Sequence, residues 1–108
     1  WEPRFEAWRA ANPERAELLD RVLARDVPAD LDDALPAFEP GSMATRAASG
    51  KVLSAIAGAV PELWGGSADL AGSNNTTMTG VSSFIPADRS SHEFTGAPGG
   101  RTLSVRRP

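Results

Sequence analysis

A chain of 108 residues leaves room for one small domain or a piece of a larger one, and a core of that size is marginal without staples or partners. With no cysteine, neither a disulfide nor a thiolate metal site is available. A formal charge of −3, from 11 basic and 14 acidic residues, gives no electrostatic case for binding nucleic acid. The longest apolar run, Ala55 to Val60, is far too short to span a bilayer. No basic-then-apolar leader opens the sequence given, so the expectation is a cytoplasmic protein that meets neither nucleic acid nor membrane.

Trp1, Phe5 and Trp8 recur at i, i+4 and i+7, the spacing of one helical face. Asn12-Pro13 predicts a second helix start, with Asn12 as N-cap and Pro13 at the first helical position. Leu19, Val22 and Leu23 continue an apolar stripe, and Pro28 is expected to end it. Residues 27–41 hold Pro28, Pro36 and Pro40 with Asp30, Asp32 and Asp33 between them. Prolines at that density argue against regular helix or central strand, so the stretch reads as an extended connector pinned by Leu31, Leu35 and Phe38. The three aspartates lack the glycine and terminal glutamate of a calcium loop and read as a solvated acidic run.

Ser42 is predicted to cap a helix reaching about Val60, with Ala48, Val52, Ala55, Ile56 and Ala59 on one face and Pro61 stopping it. Leu63-Trp64-Gly65-Gly66 then reads as a short strand entering a glycine turn, a passage suited to an α/β sheet. This strand has no assured sheet partner within the sequence. Beyond it the chain reads mostly as loop, with no clear period from Gly80 to Gly99.

Asp69 is the only acid between Glu62 and Asp88, and it follows the glycines where a strand should end. Ligands of open α/β sheets bind outside the carboxyl ends of strands, and a carboxylate there suits a cationic ring or a hydroxyl. The competing reading is an aspartate that satisfies its own loop. Arg46, in the first turn of its helix, offers a donor fork suited to phosphate, or is a solvated surface arginine. The run Asn74-Asn75-Thr76-Thr77 can donate to a ligand but more often satisfies loop backbone. His92, the single histidine, fits no motif and reads as a surface loop residue. Ser67 lacks the flanking glycines of a nucleophile elbow, which excludes a serine hydrolase of that kind.

Three blocks in register resemble the transketolase family. Gly65-Gly66-Ser67-Ala68-Asp69-Leu70 followed by Ser73-Asn74 is similar to the turn that opens the family's pyrimidine-binding domain. Upstream, Ala44-Thr45-Arg46-Ala47-Ala48-Ser49 looks like the family's helix start, 23 residues before the aspartate. Downstream, Gly100-Arg101-Thr102-Leu103 matches four residues that in the family lead to a catalytic glutamate. Here the sequence reads Ser104-Val105-Arg106-Arg107-Pro108 instead, a departure that truncation, deletion or frameshift would each produce.

The resemblance implies an α/β chain, a partial thiamine-diphosphate-binding fold. Residues 1–26 would be the last helices of the diphosphate-binding domain, 27–41 the interdomain connector, and 42–108 the opening helix, strand and loop of a parallel-sheet domain. By motif match, Arg46 and Ser73 take the phosphate of a sugar substrate and Asp69 lies against the thiazolium of thiamine diphosphate. The family transfers a two-carbon ketol unit between sugar phosphates in the pentose phosphate pathway, as a magnesium-dependent homodimer. No catalytic residue and no metal ligand of the family falls on this sequence, whose Gly-Asp-Gly metal motif is missing. The expectation is a fragment inactive alone and of marginal or dimer-dependent folding. A non-catalytic paralogue and a dihydroxyacetone synthase are the alternatives.

Overall fold

The structure is a computed structural model that describes residues 1–105. Helix α1 spans Glu2–Ala11 and α2 spans Pro13–Ala24. The aromatic face of α1 forms as its spacing predicts. Trp1 stacks on Phe5 at 4.8 Å and Phe5 on Trp8 at 5.8 Å, with the Arg9 guanidinium over the Phe5 ring. Arg9 then bridges to α2 through two hydrogen bonds to Asp20, of 2.8 and 2.6 Å.

Asn12 and Pro13 take the cap and first helical positions as expected, but the asparagine side chain does not cap. The Asn12 carbonyl accepts the Ala16 N–H. The side chain turns back instead, Nδ2 donating to the Trp8 carbonyl at 2.9 Å. The amide thus serves the orphan carbonyls at the end of α1 rather than the free N–H groups of α2. Helix α2 also ends before Pro28. Arg25 adopts a left-handed conformation (φ 61°, ψ 31°), and its N–H reaches the carbonyls of Arg21 and Val22.

The proline-rich connector is not wholly extended. One helical turn, α3 (Leu31–Ala34), forms between Pro28 and Pro36 and packs against the next helix. Prolines restrict their own position and the preceding one, and the two here are far enough apart to leave a turn between them. Leu31 is half-buried, whereas Leu35 and Phe38 remain exposed.

Helix α4 spans Thr45–Ala59. Its N-cap is Ala44, without a side-chain cap, so Ser42 does not play that part. Ala57 is completely buried and the predicted face around it is half-buried. Ser54 ties the middle of α4 to the loop at Thr79, whose N–H donates to the serine hydroxyl at 3.2 Å.

Strand β1 (Gly65–Ala68) begins at the glycines, so Gly65-Gly66 is strand, not turn. It has a partner within the chain: β2 (Thr102–Val105) lies parallel to it, Gly65 opposite Thr102 and Ala68 opposite Val105. Packing explains Gly66, because a Cβ there would stand 1.6 Å from the Leu103 carbonyl oxygen. After β1 come the one-turn helix α5 (Ala71–Asn74) and a long irregular segment with a 3-10 turn at Ala87–Arg89. That segment is anchored by buried Met78 and by Ser83, which bridges to both Gly96 and Thr102. Residues 106–108, part of the divergent end of the sequence, lie outside the described residues. Among the described residues, no helix is long and apolar enough to cross a membrane.

Candidate functional site

The backbone turns sharply at the end of β1. The Leu70 N–H donates to the Ala68 carbonyl at 2.8 Å, closing a three-residue γ-turn with Asp69 at its apex. Asp69 has φ 63°, one of three non-glycine residues with positive φ among the described residues. A γ-turn of this hand is rare and strained, and aspartate is among the few side chains that tolerate left-handed backbone. The turn delivers Asp69 to the carboxyl end of a parallel strand, the usual ligand-binding rim of such sheets.

A cleft of ≈ 500 Å³ opens at this rim. Asp69 and Ser73 both line it, together with Ser67, Thr77, His92 and Glu93. Ser73 sits in α5, its hydroxyl donating to the Leu70 carbonyl at 3.2 Å. The Asn74 N–H donates to the same carbonyl at 2.9 Å, so the segment after Asp69 forms a single turn and residues four apart face one hollow.

Arg46 does not line that cleft. It lies exposed in the first turn of α4. The Asn75 amide, at the end of α5, donates to the Arg46 carbonyl at 3.4 Å, so the start of α4 adjoins the end of α5. A second groove runs beside them, bordered by Ala47, Gly50 and Lys51 of α4, and it shares Ala71, Gly72 and Thr77 with the Asp69 cleft. Gly50 permits the approach, since a Cβ there would lie 2.8 Å from the Asn75 Cβ. Asn75 and Thr77 border this groove, while Thr76 is half-buried and its hydroxyl meets no partner among the described residues.

His92 and Glu93 come to the cleft without any signal in the sequence. They stand more than twenty residues beyond Asp69 in a segment with no period, which is held against β2 by contacts that include the bridge from Ser83 to Thr102. Among the described residues, no group of three His, Cys, Asp or Glu side chains is placed to hold a metal ion.

Helices followed by a parallel strand pair, with a cleft at the strands' carboxyl ends, define a segment of an α/β domain. No protein-family model matches the chain. Whole proteins do: it is 57% identical over 105 residues to a transketolase of Mycobacterium tuberculosis and 58% identical over 105 residues to that of Mycobacterium leprae. Both alignments cover 95% of this chain and 15% of the relative, so the chain spans about one-seventh of the length of the curated relatives it matches. A crystal structure of the Pichia stipitis transketolase in complex with sedoheptulose 7-phosphate superposes with a TM-score of 0.79 at 36% identity, over 97% of this chain and 15% of that one. The chain belongs to the transketolase family, as a segment of the transketolase fold. The match favours transketolase over the paralogue and dihydroxyacetone synthase readings.

Proposed function

We propose that this segment, within a whole transketolase, binds the phosphate of a sugar substrate through Arg46 and Ser73 and faces the thiazolium of thiamine diphosphate with Asp69. The reaction is transfer of a two-carbon ketol unit from a ketose phosphate to an aldose phosphate, a step of the pentose phosphate pathway. The observation that carries the reading is that Asp69 and Ser73 share one cleft at the carboxyl end of β1. Backbone strain concentrated at a ligand-facing residue is a mark of functional turns. The Pichia stipitis relative bound to a sugar phosphate supports the substrate class.

The cleft fits one end of the cofactor. Its volume suits a ring-sized ligand, and a carboxylate at its rim complements a cationic heterocycle. Thiamine diphosphate supplies the carbon–carbon bond chemistry when bound, and the protein supplies orientation and electrostatics. Among the described residues no group of three His, Cys, Asp or Glu side chains stands together, and we assign the magnesium and the diphosphate to other parts of the enzyme.

Residues 1–26 are assigned to the end of the diphosphate-binding domain, 27–41 to the connector, and 42–108 to the start of the pyrimidine-binding domain. The chain's surface supports large external contacts. It exposes 8227 Å², where a compact monomer of this mass exposes about 5,700 Å². Trp1, Leu23 and Val27 are among the exposed apolar residues. We assign that surface to the remaining enzyme and to a homodimer partner, in a cytoplasmic protein.

A graft tests the reading. This chain's residues 44–77 replace the matching stretch of the Mycobacterium tuberculosis relative, and ketol transfer is assayed with xylulose 5-phosphate and ribose 5-phosphate. Activity should survive the graft. Arg46→Ala should then raise KM for the phosphorylated sugar with kcat largely kept, and Asp69→Ala should lower kcat. A folded graft without turnover, or an Arg46→Ala graft with unchanged KM, would overturn it.

A further inference from the structure

Helix α4 ends against a proline, and this creates a vacancy that the sequence fills from a distance. The ordinary helical partner of the Ala57 carbonyl is the N–H four residues on, which is Pro61 and has none. Helix C-termini also carry unsatisfied carbonyls and a partial negative charge. Arg101 answers both needs. Its Nη2 donates to the Ala57 carbonyl at 2.9 Å, and its Nη1 donates to the carbonyls of Val60 at 2.9 Å and Leu63 at 3.2 Å. One planar fork therefore fixes the last turn of α4 and the short loop that leads to β1.

The backbone of the same residue fixes the strand. The Arg101 carbonyl accepts the Gly65 N–H at 3.1 Å, seating the first residue of β1, and the Arg101 N–H donates to the Ser82 carbonyl at 2.8 Å. From Gly65 the strand runs without interruption to Ala68, and the γ-turn follows. The distance from the end of α4 to Asp69 is thus set by a four-residue strand whose origin is held on both sides by Arg101.

We propose that Arg101 is a positioning residue for Asp69: its side chain locks the end of α4 while its carbonyl seats β1, so one residue sets where the Asp69 turn stands relative to the helix that carries Arg46. The proposal rests on the reading of Asp69 and Arg46 as ligand contacts. A lysine cannot replace the arginine here, because a single ammonium on a flexible stem does not span carbonyls at positions 57 and 63 at once.

The test uses amide signals of this chain carried in the whole Mycobacterium tuberculosis relative in place of its matching stretch, read without sugar or cofactor. In Arg101→Lys, the Gly65 amide should exchange at least about tenfold faster, as expected on losing charge-assisted hydrogen bonds. The Asp69 and Leu70 amide resonances should move with it. Adding Pro61→Ala returns an N–H to the Ala57 carbonyl. If Arg101 were only a helix cap, this second change would restore every signal. For a positioning residue it repairs the α4 end alone, and the Gly65, Asp69 and Leu70 signals stay displaced.

The unsubstituted chain gives a second measurement: couplings across the hydrogen bonds from the Arg101 Nη atoms to the Ala57 and Val60 carbonyl carbons should be present. Unmoved Asp69 and Leu70 signals in Arg101→Lys, full repair by Pro61→Ala, a Gly65 amide unprotected in the unsubstituted chain, or missing couplings would each overturn the proposal. Failure of the ketol-transfer reading leaves these signals as they are, and failure of the Arg101 role leaves the graft active.

Discussion

Arg21 of α2 reaches Glu62, beyond the end of α4, with Nη2 2.6 Å from Oε2 across 41 residues of sequence. The pair ties the N-terminal helices to the segment that carries the site. Both side chains are about one-quarter exposed, at 23% and 28%, so the attraction is screened less than on an open surface. Arg21 Nη1 is buried without a hydrogen-bond partner among the described residues, which adds a desolvation cost to the same side chain. Replacing Glu62 by Gln is expected to cost about 1 kcal/mol, above a typical exposed pair and well below a fully buried one. A double-mutant cycle with Arg21→Met, read by urea denaturation, should recover a coupling of similar size.

The Arg9–Asp20 pair predicts a dependence on pH. The hydrogen bonds from the Arg9 guanidinium hold the Asp20 carboxyl below its ordinary range, outweighing partial desolvation, and the bond to Asp20 raises Arg9 in turn. A carboxylate depressed on folding contributes stability above its unfolded pKa and loses it as pH falls through the folded value. The link between α1 and α2 is therefore expected to be intact at neutral pH and to weaken only in acid, below the ordinary aspartate range. Asp20→Asn should abolish that part of the acid dependence, measured as the difference in unfolding midpoint between neutral and acidic buffer.

The sequence was most legible where local rules act alone. The aromatic spacing of Trp1, Phe5 and Trp8 and the proline after α4 both follow from periodicity and breakers, whereas the expected strand is displaced, with Leu63 and Trp64 lying outside β1. It was least legible where a distant backbone decides. Gly65-Gly66 looks like a turn in isolation, and only β2, nearly forty residues later, makes it strand. Asn12 satisfies the rule for a cap, yet its amide is spent on the preceding helix. At the site, the motif spacing pointed to one cleft shared by Arg46, Asp69 and Ser73; Asp69 and Ser73 line it and Arg46 does not, whereas His92 arrives from an irregular segment and carries no local mark.

Two glycines should respond in opposite senses to the same substitution. Gly66→Ala places a Cβ 1.6 Å from the Leu103 carbonyl oxygen, a backbone atom that cannot swing aside. The strands must separate, and a loss of about 3 kcal/mol or more is expected. Gly58→Ala meets nothing within 4 Å and stands at an exposed position inside α4, so it should gain about 0.5–1 kcal/mol. Thermal unfolding of the two variants side by side checks both signs.

The 108-residue chain alone is expected to show no ketol transfer, because it covers about 15% of its relatives' length and holds one rim of the proposed cleft. A coupled assay with xylulose 5-phosphate, ribose 5-phosphate, thiamine diphosphate and magnesium checks this, and turnover above background by the pure chain would contradict it.

Asp69 should show stability and function pulling apart. Its φ of 63° costs an L-residue about 1 kcal/mol or more, and glycine escapes that cost while losing some stability to its freer unfolded chain. Asp69→Gly relieves that backbone cost but also removes the side chain's own interactions, so stability is expected to stay within about 1 kcal/mol of the unsubstituted chain. Asp69→Val, with a branched side chain least suited to this backbone, should lower stability by about 1–3 kcal/mol. Asp69→Asn keeps the tolerance for left-handed backbone and removes only the charge. If the carboxylate faces a cationic ring, Asp69→Gly and Asp69→Asn in the grafted enzyme should both lose turnover by more than their change in stability accounts for. Denaturation midpoints and kcat measured on the same three variants separate the backbone contribution from the charge.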